Sequence, residues 1–241
     1  MTAAGRGLGA ACARELAAGG YKLALMSPSG ASVELAKELG AVGLIGSVAK
    51  PADLEALVKL TLDRYGRIDA VLNNTGHVAG GGIDARGSAY DPDVKGRLLE
   101  LSDEDWHQGL DMILLNVVRM ARLVTDHMAR QGHGVILNMS SFAGKEPSAA
   151  FPLGACLRMA LAGFTKLYAD RYGRAGIRMN SILPGFVENW PMDEPLRRSV
   201  PMGRPGKLAE VAKTAAFLLS PDAGYITGQS ILADGGLNRG V

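Results

Sequence analysis

The run Gly5-Arg6-Gly7-Leu8-Gly9 has the composition and spacing of a phosphate-binding turn. Glycines let backbone pass close to an anion, and the run leads straight into an amphipathic stretch. The first N–H groups of such a helix lack intrahelical acceptors and carry the positive end of its dipole. The chemistry implied is a grip on a pyrophosphate; the plainer alternative is a flexible loop ahead of a helix. Other chemically capable groups are sparse. Cys12 and Cys156 form no CxxC pair and read as small packing residues in a reducing compartment. His77, His107, His127 and His133 lack metal-ligand spacing, so no metal site is expected.

The elements that must carry this turn are legible from periodicity. Short apolar, β-rich runs at 22–26, 41–45, 69–72, 135–139, 178–183 and 230–233 alternate with amphipathic stretches at 9–18, 32–39, 51–65, 103–130, 155–172 and 208–219. Alternation of this kind implies βαβ crossovers, hence an α/β fold with a parallel sheet and helices on both faces. Ser102 and Asp105 have capping-box spacing ahead of the long helical stretch. The 241 residues show no repeat or linker and read as one domain, 1–241. Within it, 80–97 is a Gly-, Asp- and Pro-rich loop insertion without periodicity.

Hydrophobic residues make up 47% and charged ones 21%, and no run reaches the apolar length of a membrane span. The N-terminus lacks signal-peptide character. A net charge of +2 without a basic block argues against nucleic acid as a partner, and the lack of a long apolar run argues against a membrane. The expectation is a cytoplasmic protein whose partner is a small-molecule substrate.

Several motifs, in order along nearly the whole chain, resemble those of the short-chain dehydrogenase/reductase family. Thr2-Ala3-Ala4-Gly5-Arg6-Gly7-Leu8-Gly9 looks like its TGxxxGxG turn, with Ala3 in place of the first glycine. Asn73-Asn74-Thr75-Gly76 resembles its NNAG, Asn138 to Gly144 its serine-bearing strand end, Pro184-Gly185 its PG, and Gly228 to Gly236 its C-terminal signature. The resemblance implies a Rossmann-like doubly wound sheet and a nicotinamide cofactor. It places cofactor contacts at Gly5, Arg6, Gly7, Leu8, Gly9, Ser27, Ser47, Val48, Asn74, Thr75, Gly76, Arg158, Pro184 and Gly185.

No acid follows the second strand of the implied fold, where Ser27-Pro28-Ser29-Gly30 stands. An acid there would hold a ribose 2′-OH, and its absence admits a 2′-phosphate. Arg6 occupies a position where NADP-preferring relatives carry a base, so NADP(H) is favoured over NAD(H). The alternative for Arg6 is a solvated surface charge. Ser47-Val48 stands where the family usually has Asp-Val near the adenine.

The resemblance implies a catalytic asparagine at Asn116 and a carbonyl-orienting serine at Ser141. The family's tyrosine and lysine positions fall on Gly154 and Arg158, so YxxxK is absent. Arg158 can hold ribose hydroxyls but cannot cycle protons. His77 and Tyr90 are candidate replacement donors, or plain loop residues. Two readings follow: an atypical NADP(H)-dependent oxidoreductase of carbonyls or secondary alcohols, with a substrate lid at 187–206, or a catalytically inactive nucleotide-binding or assembly protein. Under either, the long helices imply a homodimer or homotetramer.

The family's glycine turn normally follows an apolar central strand, yet here it starts at the second residue. Either the natural chain starts upstream, with Met1 as the strand's last residue, or the sheet has a truncated first strand. For residues 1–241 an irregular sheet centre or reduced stability is expected.

Overall fold

A computed structural model describes residues 1–75, 98–149 and 151–240. Its elements in chain order are α1 (Gly7–Ala18), β1 (Ala24–Ser27), α2 (Ala31–Glu38), β2 (Val42–Ile45), α3 (Pro51–Tyr65) and β3 (Ala70–Asn73). Then come α4 (Asp103–Leu110), α5 (Asn116–Gln131), β4 (Gly134–Met139), α6 (Pro152–Tyr172), β5 (Ile177–Pro184), α7 (Glu194–Ser199), α8 (Leu208–Leu219) and β6 (Ser230–Ala233). Each strand that the sequence implies is present, and every strand pair is parallel.

Alternate strand residues point to opposite faces, and both faces are apolar, as a parallel sheet covered on two sides requires. Leu25, Leu72, Leu137 and Ile182 meet Leu16 of α1 and Val211, Ala215 and Leu218 of α8. Met26, Val71, Ile136 and Met179 meet Leu54 and Val58 of α3 and Met120, Val124 and Met128 of α5. The architecture is a Rossmann-like doubly wound sheet.

One helical expectation needs correction. The stretch 103–130 is not a single α-helix: α4 and α5 are joined by a π-helical turn, Asp111–Leu115. Asp111 O accepts from both the backbone N–H and, at 3.2 Å, the side-chain Nδ2 of Asn116. Periodicity alone does not reveal a single inserted residue. The capping box does form, with Asp105 N donating to Ser102 Oγ at 3.1 Å and Ser102 N to Asp105 Oδ2 at 3.0 Å. Tyr168 and Tyr172 pack inside α6's inner face, the Tyr168 hydroxyl lying 2.6 Å from Thr125 Oγ1.

The centre of the sheet is irregular. Two ladders exist, β1–β2 and β3–β4–β5–β6. Among the described residues, the first four bridge them: Met26 N donates to Met1 O at 3.0 Å, Ala4 N to Met26 O at 3.1 Å, and Thr2 N to Leu72 O at 3.1 Å. The Met1 ammonium donates to Ala24 O at 2.7 Å. Beyond Met1, β1 and β3 face each other across a cavity of about 820 Å3.

Candidate active site

The candidate site lies beyond the C-terminal ends of the parallel strands, where loops of this architecture converge. Its floor is the glycine turn. Gly7 has φ +53° and Ala3 φ +47°, the latter the one left-handed non-glycine among the described residues. A Cβ on Gly9 would run into the Ala3 carbonyl oxygen. A Cβ on Gly5 would lie 2.9 Å from both Ala31 Cβ and Ser27 Oγ. Asn74, just after β3, clamps the turn: its backbone N–H donates to Thr2 Oγ1 at 3.1 Å, and its Nδ2 donates to Ala3 O at 3.1 Å. Arg6, exposed, is the N-cap of α1 but makes no side-chain cap bond. The N–H groups at the head of α1 are therefore open to a ligand, in a cradle only glycines permit.

Left-handed backbone costs an alanine roughly 1 to 2 kcal/mol. Ala3→Gly is expected to stabilise the chain by about 1 kcal/mol. Urea denaturation checks this, and an unchanged or lower midpoint would contradict the strain.

At the far end of the turn, Ser27 is buried against Gly5 and its Oγ donates to Ser29 O at 2.9 Å. After β2, Ser47 N donates to Asp53 Oδ2 at 2.8 Å and Val48 is buried. Asp53, in the first turn of α3, thus shapes this loop, a role that no motif announces.

Asn116 is buried at the start of α5, where its Oδ1 accepts from Thr75 Oγ1 at 3.1 Å. The π turn fixes this amide beside the end of β3, and such turns often occur at functional sites. Ser141 is extended (φ −156°) at the head of a short turn, Phe142–Gly144, after β4. That turn packs on α6 at Arg158: a Cβ on Gly144 would lie 3.0 Å from Arg158 Cβ. Arg158 is half-buried, and burial pulls its guanidinium down to about 10, so it remains charged at neutral pH. One turn earlier, a Cβ on Gly154 would meet only Arg158 Nε, at 4.0 Å, leaving room for a side chain.

Pro184 ends β5, and Gly185 N donates to Ala233 O at 3.2 Å, with Asp234 so close that a Cβ would meet its Cα at 2.8 Å. The segment that follows folds back on itself. Gly206 N donates to Phe186 O and Glu188 N to Gly206 O, each at 2.9 Å. Within it Asn189 approaches the glycine turn, its Nδ2 lying 3.0 Å from where a Gly7 Cβ would be. Sequence reasoning missed this contact. Gly76, His77, Tyr90 and the 80–97 insertion lie outside the described residues.

Also missed was a buried polar chain beneath the site. Asn73 Nδ2 donates to Asn138 Oδ1 at 3.0 Å, Asn138 Nδ2 to Thr165 Oγ1 at 3.3 Å, and Thr165 lies 3.1 Å from Ser181 Oγ. The ladder sets Asn73, Asn138 and Ser181 abreast on β3, β4 and β5. The available signal was one polar residue at matching places near the ends of three apolar runs.

The family model described as enoyl-(acyl carrier protein) reductase matches residues 2–238. Among curated proteins, the short-chain reductase protein NovJ of Streptomyces niveus is 34% identical, over 98% of this chain and 92% of its own. The 3-oxoacyl-[acyl-carrier-protein] reductase of Synechocystis is 31% identical, over 98% and 95%. FabG of Escherichia coli, of the same description, is 30% identical over the same shares. The ordered motifs, the doubly wound sheet and these matches together place the chain in the short-chain dehydrogenase/reductase family.

Proposed function

We propose that the protein is an NADP(H)-dependent oxidoreductase of carbonyl or secondary-alcohol substrates, atypical in its proton donor. The observation that carries this reading is the cradle at the head of α1, where side chains at positions 5 and 9 would collide with neighbours and N–H groups stay open. When bound, the nicotinamide supplies or takes the hydride at the substrate carbon.

The chain's own residues do the rest. Backbone at Gly7, Leu8 and Gly9 holds the pyrophosphate, and Arg6 with Ser27 suits a 2′-phosphate. Ser47 and Val48 border the adenine, while Asn74, Thr75, Gly76, Pro184 and Gly185 wall the cofactor. Arg158 holds ribose hydroxyls through a charge that persists at neutral pH. Ser141 orients the substrate oxygen, and Asn116 steadies its surroundings. The proton comes from water, His77 or the substrate. The segment 187–206 acts as the lid, its Asn189 already against the glycine turn.

A second reading, binding without turnover, draws on Gly154, which has no side chain to donate a proton. Both are tested by following NADPH fluorescence on titration, then offering ketones, aldehydes and 3-oxoacyl thioesters. Binding with turnover supports the oxidoreductase. Binding alone supports the second reading, and no binding removes both. Assembly into homodimers or homotetramers through α5 and α6 belongs to either reading, and sedimentation as a monomer would remove it.

A further inference from the structure

Reduction of a carbonyl builds negative charge on its oxygen, and a donor must already stand there to stabilise it. Gly154 has no side chain to offer one. The side chain that covers Gly154 is that of Arg158, one helical turn later. We infer that the Arg158 guanidinium binds the substrate oxygen itself, stabilising the developing alkoxide through its N–H groups while water supplies the proton. This rests on the proposed oxidoreductase reading and gives Arg158 a catalytic role beyond the ribose.

The packing of α6 carries the argument. Helical side chains lean toward the N-terminus, so a long one lies over the residue four positions earlier. Arg158 does so, with Nε 4.0 Å from where a Gly154 Cβ would be. Its stem is held by Gly144, where a Cβ would lie 3.0 Å from Arg158 Cβ and 3.5 Å from its carbonyl carbon. Gly144 also closes the turn that begins at Ser141, its N–H donating to Ser141 O at 2.9 Å. One close contact, Gly144 against the Arg158 stem, thus sets the substrate-orienting serine and the guanidinium relative to each other. A larger residue at 154 would take up the space that the guanidinium now borders.

The chemistry of the group agrees. A guanidinium carries several N–H donors in a fixed fork, so it can meet a substrate oxygen while keeping other bonds. Arg158 is half-buried, and reduced contact with water strengthens its pull on a nearby anion. Burial lowers it only to about 10, so at neutral pH it stays charged and gives up no proton. The step balances without one from Arg158. The carbonyl carbon gains the hydride, with oxidation of the cofactor, and the C=O π pair moves onto oxygen. The oxygen then takes a proton from water, and hydroxide passes to the solvent.

Two measurements test this. The first follows 4-nitrophenol, whose phenolate alone absorbs in the visible, on the protein without cofactor. Binding is expected to lower the dye's proton affinity by about tenfold or more. Arg158→Gln should abolish the shift, and guanidinium ion, well below denaturing concentration, should restore it to Arg158→Ala. The second is ketone reduction at saturating NADPH. There Arg158→Gln is expected to cut kcat by about 100- to 1,000-fold, and guanidinium ion to return part of the rate to Arg158→Ala. An unshifted dye would overturn the inference. So would an unchanged kcat in Arg158→Gln with only NADPH affinity weakened: Arg158 would then serve the ribose alone, and the proposed activity would stand. A protein that shifts the dye but reduces no ketone, aldehyde or thioester would instead remove the proposed activity and leave the anion site.

Discussion

The double substitution Gly154→Tyr with Arg158→Lys is expected to raise carbonyl reduction by about 100- to 10,000-fold, the range that a positioned general acid contributes. A Cβ introduced at 154 meets little among the described residues: its nearest atom is Arg158 Nε at 4.0 Å. Replacing glycine inside α6 also favours the helix, by up to about 1 kcal/mol. A phenol has an ordinary pKa of about 10, and a cation one helical turn away lowers it toward neutrality. NADPH oxidation with a ketone panel measures the gain, and Gly154→Tyr alone separates the phenol from the lysine. If the double variant binds NADPH but gains no turnover, Ser141 and Asn116 do not form a working site around that phenol.

The second large effect is at the glycine turn. Gly9→Ala would place a Cβ where the Ala3 carbonyl oxygen and Asn74 Nδ2 already stand. The turn must shift to admit it, at a cost of about 1 to 3 kcal/mol, and the N–H groups at the head of α1 move with it. NADPH binding is expected to weaken by about tenfold or more, read by fluorescence titration, and the urea midpoint to fall. Unchanged affinity would mean that this turn does not hold the dinucleotide.

The sequence carried the strand–helix alternation well because both faces of each strand are apolar and the helices have one apolar side. The runs at 51–65, 208–219 and 230–233 coincide with α3, α8 and β6. The glycine turn was legible for a different reason: Gly5, Gly7 and Gly9 are demanded by backbone approach, which composition records directly. Residues whose roles depend on long-range neighbours were not legible. Asp53 serves a backbone N–H six residues earlier, and Asn189 reaches a turn more than 180 positions away in the chain. Neither pairing leaves a local pattern. The polar chain from Asn73 to Ser181 likewise depends on strand register, which alternation alone does not set.

The π turn at Asp111–Leu115 gives the run from Asp103 to Gln131 one residue more than an unbroken α-helix would hold. Losing any one residue there would not simply shorten the run. It would turn α4 by about 100° about its axis relative to α5. Trp106 and Leu110, which now pack toward Leu153 and Leu157, would swing away from α6, while Asn116 kept its place at the head of α5. Length variation in this stretch thus acts as rotation, changing which side of α4 packs on α6 without disturbing the sheet.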